Sequence, residues 1–142
     1  MARVKISIPS NKIYETQLSV RVNDINYGNH LSNDALLRFA HEVRLRFLNE
    51  LSFDELNFYG GGLIMSDAAL QYKNEGFLFD QLHCELYIDE ITTHGFEFVY
   101  KFIRSRDKAT ICVVKTGMVF FNYETKKIAS CPQGFVDKYK GS

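Results

Sequence analysis

The sequence predicts an α+β fold, one long helix set against a mostly antiparallel sheet. Three observations carry this. A single stretch, 32–51, repeats its apolar residues at helical steps. From Leu63 onward the repeat becomes two, the period of a strand with one face buried. No helical pattern interrupts the later strands, so each turns back on its predecessor.

The elements follow in chain order. Leu18, Val20 and Val22 alternate with polar residues and predict a first strand. Leu36, Phe39, Ala40, Val43, Phe47 and Leu51 then share one helical face. Ser32, Asn33 and Asp34 precede that face and suit an N-cap, where an acidic side chain meets the positive helix end. Gly60-Gly61-Gly62 breaks the pattern. Its surroundings, "YGGGLIMSD", lack the lysine and Ser/Thr of a phosphate loop, so it reads as a flexible joint into the next strand. Strand-like runs follow from Leu63 to Tyr72, through Leu82, Cys84, Leu86 and Ile88, and through Phe96, Phe98, Tyr100 and Phe102. A last long run extends from Ala109 to Tyr123. "NEG" at 74–76, "THG" at 93–95, "SRDK" at 105–108 and "YETKK" at 123–127 mark the turns. One helix covers one face of such a sheet. The other face, carrying Val99 and Ile103, is expected to stay partly apolar and to invite a second copy of the chain.

At 142 residues the chain is expected to form a single domain, 1–142, large enough for a real core. Lys+Arg and Asp+Glu balance at 17 each, so no overall field draws nucleic acid or an anionic membrane. Cys84, Cys112 and Cys131 are odd in number and form no CxxC pair, which argues against a disulfide framework or a zinc site and fits a reducing cytoplasm. The start of the chain lacks the sustained apolar core of a signal peptide, and no apolar run has the length of a bilayer span. His41, His83 and His94 have no metal-ligand spacing.

Chemistry concentrates in "DINYGNHLSNDALLRFAHEVR", residues 24–44. Asp24, Asn26 and His30 occupy a loop that runs into the helix. Glu42 lies at the edge of the apolar stripe, displaced by about a sixth of a turn at ~100° per residue. The helix start, around Ser32 to Asp34, offers free backbone N–H groups that can hold an oxyanion. A nearby carboxylate can attack a carbonyl or activate water. Each residue also has a plain structural use. Glu42 can pair with Arg38 or Arg46, four residues away on either side. Asp24 and Asn26 can close Asx turns, Gly28 can supply a positive φ, and His30 can be a satisfied hydrogen-bonding side chain.

This segment resembles the signature of hotdog-fold acyl thioesterases of the 4-hydroxybenzoyl-CoA thioesterase-like superfamily. The matching residues are Val20-Arg21, Asp24-x-Asn26, His30-Leu31-Ser32-Asn33 and Glu42-x-Arg44, and "YKNEGFLFDQL" at 72–82 resembles the family's strand, turn and strand start. The resemblance implies a hotdog fold, an antiparallel sheet wrapped around one central helix. It implies homodimers, often paired into tetramers, with an acyl-CoA or acyl-carrier thioester bound at the dimer interface, and no cofactor. It departs at Asn26, where many relatives carry an aspartate that acts as nucleophile or base; an amide serves neither role well at neutral pH. The expected constellation is therefore Asn26, His30 and Glu42, with Asp24 as a further carboxylate and the backbone N–H of Asn33 as oxyanion donor. Two other readings stand beside hydrolysis. One is an acyl-CoA-binding protein without catalysis, which Asn26 permits. The other is an enoyl-CoA hydratase, whose Asp-x-Asn-Pro-x-His segment Asp24-Ile25-Asn26 only begins, since no proline follows and His30 comes one residue late.

Overall fold

A computed structural model describes residues 3–140. The elements run β1 (Lys12–Ser19), α1 (Ala35–Glu50), β2 (Gly62–Tyr72), β3 (Gln81–Asp89), β4 (Gly95–Arg104), β5 (Thr110–Asn122), β6 (Lys127–Ile128) and α2 (Gln133–Tyr139). The sheet is antiparallel throughout in the order β1-β3-β4-β5-β2, with the short β6 paired to β5.

The first predicted strand ends earlier than its alternation suggested. Val22 belongs to a 3-10 turn, Val22–Asp24, and is 69% exposed. The turn swings the chain off the sheet and toward the helix. Backbone bonds from Val20 to Asp80 and from Phe79 to Val20 hold its root.

The apolar face of α1 packs on the inner face of the sheet. Phe39 meets Phe102, and Phe47 meets both Phe98 and Tyr14. Leu48 completes the buried stripe where Leu51 was expected; Leu51 lies just past the helix end and is 40% exposed. Ser52, at φ 62, reverses the chain, and the Phe53 N–H returns to the Leu48 carbonyl. That is a Schellman-type stop made without glycine.

One buried polar chain crosses this core. Arg44 donates to Glu55 at 2.9 Å and to the Tyr100 hydroxyl at 3.0 Å, and that hydroxyl shares a 2.8 Å bond with Thr116. Glu55 also meets His41. Each buried group therefore has a partner, the condition under which burial of a guanidinium is tolerated.

Helix α2 has no counterpart among the predicted elements. It brings Phe135 and Tyr139 onto Phe58, Phe96 and Phe120 and closes the open end of the core. On the outer sheet face Ile103 is half-buried. Val99 is buried within its own chain, between Tyr87 and Lys115, and charged residues such as Glu85, Glu97 and Lys101 surround it. Apolar side chains are also exposed along β2, at the sheet edge, where Met65 and Tyr72 are 43% and 49% exposed.

Candidate functional site

Two loops meet at the start of α1 and enclose a cleft of about 590 Å³, within the roughly 300–1,000 Å³ typical of small-molecule sites. Asn26 to Leu31 form one wall. Tyr72 to Gly76 form the other, and Asn33, Leu36 and Ile111 lie between them.

The first wall is a tight loop closed by the Ile25–Leu31 pair. The Asn26 N–H bonds to the His30 carbonyl, and the Asn26 side-chain oxygen accepts from the N–H groups of Gly28 and His30 at 3.0 and 3.3 Å. Asn26 thus closes an Asx turn. The positive φ falls on Asn29, not on Gly28. Gly28 has a different duty: a Cβ there would sit 3.0 Å from the His30 ring. The missing side chain makes room for the imidazole.

The second wall is tied down residue by residue. The Lys73 and Asn74 N–H groups bond to the Ile111 carbonyl, and the Asn74 amide donates to the Thr110 carbonyl. Arg104 donates to the Glu75 carbonyl. The Leu31 N–H bonds to the Gly76 carbonyl at 2.8 Å, joining the two walls. Gly76 permits that approach, since a Cβ would meet the Leu31 side chain at 3.0 Å.

His30 stands where the walls join. Its ring packs 5.1 Å from the Phe77 ring. Nδ1 is buried and has no correctly directed hydrogen bond, although a Glu75 carboxylate oxygen lies only 2.7 Å away. The rest of the imidazole faces the cleft, the side chain being 36% exposed.

At the helix start the Ser32 N–H is bonded to the Asp24 carbonyl and that of Ala35 to Ser32, while the Asn33 N–H has no acceptor among the described residues. The Tyr72 hydroxyl donates to the Asn33 carbonyl at 2.9 Å and holds this peptide against β2; burial raises its pKa. Asp34 is the N-cap residue but makes no capping bond. Its carboxyl is held below the usual range by the Ser32 hydroxyl and then by its own backbone N–H.

The cleft of one chain therefore gathers Asn26, His30 and Asn33. It does not gather the other two candidates. Asp24 is fully buried behind the loop, where it accepts from Arg38 at 3.1 Å and from the Arg21 N–H at 2.9 Å. Glu42 points toward β1 and pairs with Arg46, which is itself bonded to Thr16 and the Gln17 carbonyl. Arg38, the other expected neighbour of Glu42, is engaged by Asp24. Sequence reasoning missed Tyr72 and Glu75. Both read as ordinary strand-end and turn residues, and only the pairing of distant loops brings them here.

Among the described residues one group of metal-ligating side chains converges, Glu15, His83 and Glu85 on the outer sheet face. Lys12 lies 2.8 and 3.4 Å from the two glutamates and pairs with both. No helix among the described residues is long and apolar enough to cross a membrane.

Known structures share this architecture. A 1,4-dihydroxy-2-naphthoyl-CoA thioesterase from Synechocystis superposes with a TM-score of 0.77 at 18% identity, covering 86% of this chain and 91% of its own. A thioesterase superfamily protein from Jannaschia gives 0.77 at 17% identity, with 94% and 89% covered. A DHNA-CoA thioesterase from Staphylococcus aureus gives 0.74 at 13% identity, with 87% and 84% covered. No curated protein sequence matches the chain. The fold is the α+β hotdog fold of these thioesterases. The sequence pattern of the Thioesterase-like superfamily matches residues 20–139, nearly the whole chain, and the protein belongs to that family.

Proposed function

We propose that this protein hydrolyses an acyl thioester, acyl-CoA or acyl-carrier protein, to free acid and thiol. The observation that carries the reading is the cleft itself. It sets an imidazole, His30, and an unclaimed backbone N–H, that of Asn33, around an apolar floor of Leu31, Leu36 and Ile111. The thioester carbonyl would lie over the helix start, its developing negative charge held by main-chain N–H. Asn26 keeps the loop in shape. Glu42 does not reach the cleft of its own chain, so its proposed share in the reaction requires a second protomer.

We place the active form as a homodimer, with pairing into tetramers as a further step. The free edge of β2 and its exposed Met65 and Tyr72 support this arrangement. We also take the chain as one domain working in the cytoplasm, where its three unpaired cysteines would persist.

A specific observation favours one alternative, acyl-thioester binding without cleavage. The Asn26 carboxamide oxygen is already spent on two backbone N–H groups. Thiol release measured over a panel of aliphatic and aromatic acyl-CoAs separates the readings. Hydrolysis predicts release that falls roughly 10²-fold or more in His30→Ala, the scale of lost acid–base catalysis. Binding of acyl-CoA with no release from any member of the panel would leave only the alternative.

A further inference from the structure

We propose that Glu75 is a positioning residue for His30, and that this pair supplies the general base that the amide at Asn26 cannot. The inference rests on the hydrolytic reading above and adds a residue to it.

The other acidic groups near the helix start are engaged, Asp34 by the Ser32 hydroxyl. Asp24 faces Arg21 and Arg38, and Glu42 faces Arg46. Glu75 has no lysine or arginine on its carboxylate among the described residues; its one basic neighbour is His30, 2.7 Å away. The nitrogen it faces is the buried one. Nδ1 lacks any other partner, and a buried polar atom without one is costly. A carboxylate at that position favours the tautomer with hydrogen on Nδ1 and leaves the Nε2 lone pair free.

The pair is also held in place from outside. Arg104 grips the Glu75 carbonyl, the Gly76 carbonyl is bonded to Leu31, and the Phe77 N–H is bonded to Asp80 at 3.0 Å. Phe77 packs on the imidazole, and Gly28 leaves space beside it. Glu75 itself is 67% exposed at its side chain, while its carbonyl is bonded by Arg104.

The step balances without any further reagent. A water in the cleft forms a bond from its oxygen to the thioester carbonyl carbon and gives its proton to Nε2 of His30. The carbonyl electron pair moves onto oxygen, which the Asn33 N–H holds. When the carbonyl re-forms, the carbon–sulfur bond breaks, and the departing thiolate takes the proton from Nε2. Glu75 keeps its charge throughout and stabilises the transient imidazolium.

The test uses the full chain and the variants Glu75→Gln, His30→Ala and the two combined. With an acyl-CoA that the wild type hydrolyses, Glu75→Gln should lower kcat at least tenfold and leave KM within about twofold. The double variant should be no slower than His30→Ala alone, because the two residues act as one unit. Side-chain 15N NMR provides a readout independent of turnover: Nδ1 of His30 should carry the proton in the wild type and lose that preference in Glu75→Gln. Wild-type kcat in Glu75→Gln, losses that multiply in the double variant, or a wild-type His30 protonated only on Nε2 would each overturn the proposal. If no acyl-CoA releases thiol, the hydrolytic reading fails, and the NMR result then decides alone whether the pair exists.

Discussion

Asp24 shows how residue type and residue role can part. Its place before the helix suggests chemistry, yet its carboxylate is fully buried and spent on Arg38 and the Arg21 backbone. It anchors the turn from which the loop of residues 25–31 departs. Hydrogen bonds to charged groups contribute about 1.5–3 kcal/mol each, but both arginines are largely exposed and solvent screens them. Asp24→Asn is therefore expected to cost about 1–2 kcal/mol, read as a lower urea midpoint with an unchanged slope. An unshifted midpoint would show that the pairing adds nothing. Asn26 and Gly28 make the same point at smaller scale. The Asx turn at Asn26 was one of the two uses its type allowed, and the structure adopts it. Gly28 was expected to serve backbone conformation but serves side-chain space, which no local pattern reveals because it depends on the direction of the His30 ring.

The β4–β5 hairpin acts on the site from a distance. Arg104 forms a two-pronged pair with Asp107 at 2.9 and 2.8 Å and also donates to the Glu75 carbonyl. The Arg104 guanidinium, and then the Ala109 N–H, hold the Asp107 carboxyl down to about 2, from an ordinary 3.8. A lowered folded-state pKa contributes stability above the unfolded value and loses it as the proton returns. The contribution should be complete above about pH 4 and disappear as pH falls toward 2. Thermal melts of Asp107→Asn should be flatter than wild type across that window and converge with it at the acid end. Equal slopes would deny the pair any weight. At this scale much of the architecture was legible. The helix and β3 announce themselves because each buries one face over many residues, while β2, β4 and β5 show as long strand-like runs bounded by turn residues. Helix α2 does not, because Phe135 and Tyr139 are its only buried residues and a single four-residue step defines no period. Glu75 was hidden for a related reason: its partner lies 45 positions earlier, and nothing in "NEG" signals which loop it will face.

For the whole molecule, β2 is the end strand of the sheet among the described residues. An uncapped sheet edge with exposed apolar side chains invites pairing with another strand. The proposed dimer predicts a sedimentation mass near twice the 16.4 kDa of the chain. Met65→Lys should shift it toward the single-chain value and reduce thiol release with it. A wild-type protein that sediments as one chain and still hydrolyses acyl-CoA would remove the dimer, and any role for Glu42 with it. A last consequence follows from the polar chain that runs from Glu55 through Arg44 and Tyr100 to Thr116. Greasy contacts alone would let a rod roll or slide on its bed at little cost. This row of directional links works like a keyed shaft, since turning α1 by even one position would strand an ionised group in oil. The aim of the amides at the tip of the rod is thus locked from its middle, well away from any bound molecule.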